Sequence, residues 1–421
     1  MTRAHRIGLV VLLAGGLALS APPASANGLT THTWITLQAI EHVPPGPLRD
    51  LVTSAELRDP MISGTIFPDG GYAIGDGYGE LAHWEPFQHR YLSWIRAHYA
   101  PPWSDEAKRH IAFLLGLSSH GMADQVFDSL YMARAHVYDA ASNWEQDSMD
   151  EATDVIMASR FGPQRVPMRF VPVDALIPLF ADAGHTVDEK TILQGHNLAG
   201  FAVAIVGMLA QDRDAVRSYK AKFPWATAHL EDEAVPGTPM REAEIVALYW
   251  QRIWDRLNAG LAASDVVIST VPASGALGHE RVSSSMDARI SIIFSRRLFR
   301  RDVGADRFRI TDAGGAALPF RAELYYGDDS HVVHLIPTED LAAETDYTVS
   351  VLPGLPTAEG APIEGLYTFQ VSTRKAPAAA PGSVEEGGGC ACAGRPAGAL
   401  GPGLTLGLAG LLSSLRRRGR R

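Results

Sequence analysis

Three side chains spaced four residues apart constrain the fold of this chain more than any other feature. His120, Asp124 and Asp128 lie in the segment Leu-Gly-Leu-Ser-Ser-His-Gly-Met-Ala-Asp-Gln-Val-Phe-Asp. On an α-helix this spacing places all three on one face. Carboxylates and imidazoles in an otherwise apolar segment are costly to bury alone, and one cation satisfies them together. The pattern predicts a metal-binding helix face, with a solvated polar face as the alternative.

Composition limits the classes of protein to which the chain can belong. It has 421 residues, 46% of them hydrophobic, and a formal net charge of −10. This length allows two or three domains with a sizeable core. The acidic balance argues against a protein that coats nucleic acid. The only cysteines are Cys390 and Cys392, so the preceding residues offer no disulfide, thiolate metal site or cysteine nucleophile.

The order of patterns predicts a multidomain chain, mainly α-helical at residues 27–263 and an all-β Ig-like sandwich at 264–374. Helical spacing of apolar residues occurs in Ile111–Leu117, Leu198–Leu209 and Ile245–Leu257. Glycine and proline predict loops at Pro44–Pro47, Pro68–Gly79 and Pro101–Pro102.

From Val266 onward, short segments rich in β-branched and aromatic residues alternate with turn residues, which is typical of a β-sandwich. Phrases such as Tyr367-Thr-Phe-Gln-Val-Ser-Thr also resemble the bacterial Ig-like modules of secreted enzymes. The predicted strands are Val266–Val271, Ala288–Phe294, Phe308–Thr311, Ala322–Tyr326, His331–Ile336, Tyr347–Leu352 and Tyr367–Val371.

The first residues predict export. Arg3 and Arg6 precede an apolar run, and Ala24-Ser25-Ala26 is an A-x-A cleavage site, so residues 1–26 are typical of a signal peptide. The mature chain would then begin at Asn27. A retained membrane anchor is the alternative.

The last residues predict a sorting tail. Residues 375–398 are a Pro/Ala/Gly linker with the Cys390-Ala-Cys392 motif, and residues 399–421 combine an apolar helix with an arginine cluster. This order resembles the C-terminal sorting signal of myxobacteria and implies contact with a membrane through the tail before processing. A plain single-pass anchor is the alternative.

Further imidazole and carboxylate residues stand in distinctive local contexts. His32 follows Gly28-Leu-Thr-Thr, Asp69 ends Gly64-Thr-Ile-Phe-Pro-Asp, and His83 begins His-Trp-Glu-Pro-Phe. A second acidic group, which repeats the four-residue spacing, comprises Asp150, Glu151 and Asp154. Each residue alone also fits a bland role: a turn aspartate, a helix N-terminal acid or a surface histidine.

In this order, the motifs make residues 27–154 resemble the zinc-dependent phospholipase C family, and most closely the catalytic domains of glycosylphosphatidylinositol-specific phospholipases D. The resemblance weakens from there to residue 263. It implies a mainly α-helical fold shared with the single-strand-specific zinc nucleases, and a centre of two or three Zn²⁺ ions.

The resemblance also implies which residues bind these ions. Asp69, His83, His120 and Asp124 would hold one ion, and Asp124 would bridge to a second held by His32 and the amine and carbonyl of Asn27. A third metal would be held by Asp128 with Asp150, Glu151 and Asp154. Many relatives place histidines in that third site, and an all-oxygen set suits Ca²⁺, Mg²⁺ or Mn²⁺ as well as zinc.

The function implied is hydrolysis of phospholipids by metal-activated water, in a protein that is secreted or displayed on the cell surface. Asp69 would act on the attacking water, and the segment Asp69–Glu80 would contact substrate. No nucleic-acid partner is expected, because the chain is acidic and lacks a basic groove interleaved with aromatics. The alternatives are a zinc nuclease of the related fold and an inert, metal-bound surface binding protein.

Overall fold

The computed structural model describes residues 27–140, 146–166, 170–260, 267–325, 327–358 and 361–375. Within these residues, helices precede strands along the chain, which confirms the predicted order of a helical region and a β region. The predicted leader, the cysteine motif and the predicted tail helix with its arginines lie outside the described residues.

The helical region brings the periodic apolar segments of the sequence into three long helices. Its helices are α1 Leu29–His42, α2 Pro47–Val52, α3 Arg58–Ile74, α4 Tyr78–His83, α5 Glu85–His98, α6 Asp105–Val126, α7 Ala133–Tyr138, α8 Gln146–Phe161, α9 Val173–Asp182, α10 Glu189–Leu209, α11 Arg213–Lys222, α12 Pro224–His229 and α13 Pro239–Ala259. A π-helical turn, Phe127–Met132, joins α6 to α7.

The prediction of a loop at Pro68–Gly79 is wrong, because α3 continues through Pro68 and ends at Gly75 in the left-handed conformation, with φ of 73°. The glycines of this segment serve close packing instead. A Cβ on Gly71 would lie 2.3 Å from the backbone nitrogen of Gly79, so only glycine permits the approach of α3 to α4. The segment that carries Asp69 is therefore a rigid helix.

The β region forms two main antiparallel sheets and a small sheet of two strands, and each predicted strand overlaps an observed one. One sheet has the order β1-β2-β5-β4 and the other has the order β3-β6-β9. The strands are β1 Val267–Val271, β2 Ile290–Phe299, β3 Phe308–Asp312, β4 Phe320–Leu324, β5 Asp329–Pro337, β6 Asp346–Val351, β7 Leu355–Pro356, β8 Pro362–Ile363 and β9 Tyr367–Ser372. The two-residue strands β7 and β8 pair with each other and were not predicted.

Strands β2 and β5 are buried on both faces, and this joins the two regions. Ile292 and Val333 face the core shared by the two sheets, whereas Ile293 and Val332 belong to the core of the helices. Successive side chains of a strand point to opposite faces, so one strand pair serves both cores. The sheet thus packs against the helical region through apolar contacts.

Polar contacts at this junction reach the end of α6. Gln125 Oε1 accepts hydrogen bonds from Ser330 Oγ at 2.7 Å and from the His331 backbone nitrogen at 3.2 Å. The buried carboxylate of Glu85 accepts a hydrogen bond from the backbone nitrogen of Arg297 at 3.0 Å and lies 3.6 Å from Arg256 Nη1. The β region therefore supports the helical turn that contains Asp124.

Candidate metal centre

Helix α6 supplies two residues of the centre from its last two turns. Ser104 begins the helix by accepting a hydrogen bond from the backbone nitrogen of Ala107. One helical turn separates His120 from Asp124, and His120 Nε2 lies 3.4 Å from Asp124 Oδ2. Both side chains are buried. The predicted one-face arrangement therefore holds for this pair.

Asp128 follows α6 and lies in the π-helical turn that begins at Phe127. Asp128 is fully buried. Its carboxylate belongs to neither of the two close groups of metal-ligating atoms found among the described residues.

Five residues from four helices converge beside α6, and we call them the histidine–aspartate cluster. His32 comes from α1, Asp69 from α3, His83 from the end of α4, and His120 and Asp124 from α6. Ligand atoms lie within 4.8 Å of one another in the group His32, Asp69 and His120 and in the group His83, His120 and Asp124. The helices thus bring together the five side chains that the family resemblance assigns to two zinc ions.

Two imidazole rings of the cluster are held by backbone carbonyls. His83 Nδ1 lies 2.7 Å from the Gly79 oxygen, and His120 Nδ1 lies 2.7 Å from the Thr65 oxygen. A carbonyl only accepts, so each Nδ1 carries the hydrogen and each Nε2 presents a lone pair. The two Nε2 atoms lie 2.9 Å apart. A cation between them would remove the repulsion, and carbonyl-anchored histidines are typical of metal sites.

Asp124 faces imidazoles on both sides. Its Oδ1 lies 2.8 Å from His32 Nε2, and its Oδ2 lies 3.4 Å and 3.7 Å from the Nε2 atoms of His120 and His83. Neither buried oxygen makes a hydrogen bond of normal geometry with any described residue. One oxygen thus faces His32 and the other faces His120 and His83, as expected of a carboxylate that bridges two cations.

The electrostatics of the cluster also suit metal binding. Burial and the nearby His32 lower the pKa of His120 to about 3, so its ring is neutral at pH 7. Burial opposes ionisation of Asp69, but His120 and His83 lower its pKa well below the usual range and keep it ionised. Burial opposes protonation of His32 and His83, but Asp124 raises the pKa of His32 and Asp69 raises that of His83. Binding of a divalent metal to these two rings would therefore displace protons.

Asn27 is buried, and its side chain is bound by Glu242, a residue that the sequence analysis did not identify. Its Nδ2 donates to Glu242 Oε2 at 2.7 Å, and Glu242 is fully buried on α13. Burial raises the pKa of Glu242 well above its usual value, and the negative charge of Asp124 raises it further. The sequence does carry a signal for Glu242, because this acid shares the apolar face of an amphipathic helix with Ile245 and Tyr249.

The acids of α8 have different surroundings. Asp154 Oδ1 accepts hydrogen bonds from the Thr31 backbone nitrogen at 2.7 Å and from Thr31 Oγ1 at 2.9 Å, which satisfies the first turn of α1. Burial raises the pKa of Asp154 to about 6. Asp150 is buried, and Glu151 accepts a hydrogen bond from the Tyr219 phenol. None of these three acids belongs to the two close groups of ligating atoms among the described residues.

The cluster reaches solvent at Asp69, whose side chain is 21% exposed, whereas that of Asp124 is 2% exposed. Tyr72 and Trp84 lie beside this opening, with ring centroids 4.6 Å and 5.7 Å from that of His83. Both hydrogen-bond to Glu80, and Trp84 Nε1 does so at 2.8 Å. Three further aromatic residues near the motifs, Phe67, Tyr78 and Phe87, are packed in the core.

Comparison with known proteins gives matches for both regions. Residues 263–373 match the family model described as a bacterial Ig-like domain. The chain is 26% identical over 231 residues to the phosphatidylinositol-glycan-specific phospholipase D of Rattus norvegicus, which covers 51% of this chain and 27% of the relative. The Homo sapiens protein of the same name is 28% identical over 249 residues, covering 55% and 29%. The chain thus spans less than a third of the length of these curated relatives.

Solved structures align over most of the chain at low similarity. The alpha toxin from Clostridium absonum aligns with 83% of this chain and 100% of its own at 12% identity, with a TM-score of 0.24. The S-layer protein rSbsC(31-844) aligns with 82% of this chain and 46% of its own at 11% identity, with a TM-score of 0.22. TM-scores this low do not establish a shared fold.

Proposed function

We propose that the helical region is a metal-dependent phosphodiesterase that hydrolyses phospholipids, with cleavage of the phospholipase C type. The observation that carries the proposal is the convergence of the histidine–aspartate cluster, with two imidazole nitrogens 2.9 Å apart and a carboxylate between imidazoles. The similarity to phosphatidylinositol-glycan-specific phospholipases D supports a lipid phosphodiester as the substrate.

The donor set of the cluster fits zinc, which prefers imidazole nitrogen mixed with carboxylate oxygen. His83, His120, Asp69 and Asp124 would hold one ion, and His32 with Asp124 and the backbone of Asn27 would hold a second. A third divalent ion would be bound by the acids Asp128, Asp150, Glu151 and Asp154. This third site has only oxygen donors, which suit Ca²⁺, Mg²⁺ or Mn²⁺ as well as Zn²⁺.

When bound, such ions lower the pKa of water toward about 7 and neutralise charge on the phosphoryl oxygens. The residues of the chain supply position. The backbone carbonyls of Thr65 and Gly79 fix the rings of His120 and His83, so no reorganisation is required during the reaction. Asp69 is ionised and is the cluster carboxylate that meets solvent, so it would orient the attacking water by accepting a hydrogen bond from it.

The proposed setting is extracellular. Residues 1–26 would direct export, and the C-terminal tail would hold the protein at a membrane until it is processed. The mature protein would then be secreted or displayed on the cell surface. In this setting the protein would lie beside phospholipids and outside the reducing cytoplasm. Its proposed metal ligands are imidazoles and carboxylates, which, unlike thiolates, need no reducing surroundings.

Extra residues before Asn27 are expected to reduce hydrolysis at least about a hundredfold. They would convert the free amine of Asn27, a proposed ligand of the second ion, into an amide. The measurement compares mature protein beginning at Asn27 with a form that retains Ala24-Ser25-Ala26, in both zinc content and lipid hydrolysis. The control carries the same three residues at its C-terminus. Full activity and full zinc content in the extended form would remove Asn27 from the centre.

The proposed function is tested by product analysis with zinc-loaded, full-length mature protein and phosphatidylcholine. Release of phosphorylated head group together with diacylglycerol is the expected result. Release of phosphatidic acid would show cleavage on the other side of phosphorus. Hydrolysis of single-stranded DNA without lipid hydrolysis would indicate a nuclease, and binding of metal without turnover would indicate an inert binding protein.

A further inference from the structure

Helix α10 exposes an apolar surface that is unusual for a helix at the outside of a protein. No residue from Thr191 to Gln211 carries a charge. Nevertheless, Leu198, Phe201 and Met208 are 38%, 43% and 64% exposed. These three residues are spaced by three and seven, which places them along one side of the helix. We call this side the α10 outer face.

The opposite side of α10 anchors the helix in the protein. Its small residues allow close packing, and a Cβ on Gly195 would lie 2.4 Å from the oxygen of Gly70 on α3. By length and composition α10 could cross a membrane, and only 33% of its most apolar window is buried. Because its inner side packs on α3, α1 and α8, the helix is positioned to lie along a surface and not to span one.

The inner side of α10 packs against helices of the candidate metal centre. Helix α3 carries Asp69, and the contact of Gly195 with Gly70 is one residue away from it. Helix α1 carries His32, and α8 carries Asp154. At the far end of α10, Gly207 packs on Pro163, close in sequence to the exposed ring of Phe161. A bilayer bound to the outer face would therefore be separated from these helices by the thickness of α10, about 10 Å.

The charge pattern after α10 identifies the kind of surface. Helix α11 follows at Arg213 and exposes four cations, Arg213, Arg217, Lys220 and Lys222, with one acid, Asp214. This is a local excess of positive charge in a chain with a formal net charge of −10. An apolar stripe followed by cations matches the acyl boundary and phosphate layer of a bilayer.

We propose that the α10 outer face, with the cations of α11, docks the protein on the phospholipid bilayer that contains its substrate. This inference rests on the proposed phospholipase function. Phe201 and Met208 would transfer their exposed apolar surface from water into the acyl boundary, which favours reversible binding. Docking through the α10 outer face would let the proposed enzyme act at the surface of a bilayer.

The test uses full-length, zinc-loaded protein with the paired substitutions Phe201→Asp and Met208→Asp. Co-sedimentation with mixed phosphatidylcholine and phosphatidylglycerol vesicles should show at least about a tenfold loss of affinity. Leu277→Asp with Leu366→Asp is the matched control, since both residues are exposed in the β region at 47% and 61%. The control pair should bind vesicles like the wild type.

Hydrolysis of a short-chain, water-soluble phosphatidylcholine separates docking from catalysis. We expect it to be unchanged in the Phe201 and Met208 variant, while hydrolysis of vesicle lipid falls with binding. Equal vesicle affinity of variant and wild type, or no vesicle binding by the wild type, would overturn the docking proposal. Loss of self-association in the variant with vesicle binding intact would assign the face to a second copy and overturn it too. Loss of vesicle binding in a protein that hydrolyses neither substrate would support docking and reject the proposed function.

Discussion

Asp124→Asn should abolish phospholipid hydrolysis and release more than one metal ion per chain. The carboxylate lies 2.8 Å from His32 Nε2 on one side and 3.4 Å from His120 Nε2 on the other, so it is the residue common to both proposed ions. Losing about 4 kcal/mol of transition-state stabilisation corresponds to roughly a thousandfold in rate. Elemental analysis and lipid hydrolysis of the purified variant provide the measurement.

The matched control for this substitution is Asp105→Asn. Asp105 lies at the start of the same helix, where its exposed carboxylate pairs with Lys108 at 3.1 Å. The charge change is identical, but exposed pairs of this kind contribute little to stability. The control should retain full metal content and activity. An Asp124→Asn protein with the full metal count would show that Asp124 does not bridge two ions.

Gly116→Ala should destabilise the helical region by about 3 kcal/mol and disrupt the centre. A Cβ at Gly116 would lie 1.9 Å from the Met61 oxygen, and a Cβ at Gly64 would lie 2.1 Å from the Phe113 oxygen. Helices α3 and α6 are thus in backbone contact, and the substitution forces them apart by roughly 1 Å. The distance between Asp69 on α3 and the ligands on α6 would then increase.

The sign of this effect distinguishes packing from helix propensity. Alanine favours a helix interior over glycine by about 1 kcal/mol, so propensity alone predicts stabilisation. Thermal unfolding of the helical region and zinc affinity are the measurements, and Gly365→Ala is the control because no atom lies within 4 Å of its Cβ position. A melting temperature equal to or above that of the wild type for Gly116→Ala would contradict close contact of α3 and α6.

Local sequence patterns predicted the features that depend on neighbouring residues. Helical periodicity located α6, α10 and α13, and the four-residue spacing correctly placed His120 beside Asp124. The strands of the sandwich followed from alternation and turns. The residues of the cluster from other helices were grouped through the family resemblance, since no spacing relates His32, Asp69 and His83 across the chain.

The differences arise where tertiary packing determines the structure. Pro68 and the glycines after it are typical of a loop. They lie in α3 instead, where Gly71 permits the close approach of Gly79 and Gly70 permits that of Gly195. Asp128 lies in a π-helical turn, which the spacing of residues did not predict. Glu242 lies 215 residues from Asn27, and only the packing of α13 on α1 brings them together. The spacing of residues along the chain carries no signal for such contacts.

The central claim is that the histidine–aspartate cluster binds divalent ions and thereby activates water against a phospholipid phosphodiester. Titration of zinc into chelator-stripped, full-length mature protein tests it most directly, with bound zinc and release of phosphorylated head group from phosphatidylcholine measured at each step. We predict that hydrolysis is absent without metal and rises in proportion to occupancy until about two ions are bound. Full hydrolysis by the metal-free protein, or full zinc binding with no hydrolysis, would contradict the account.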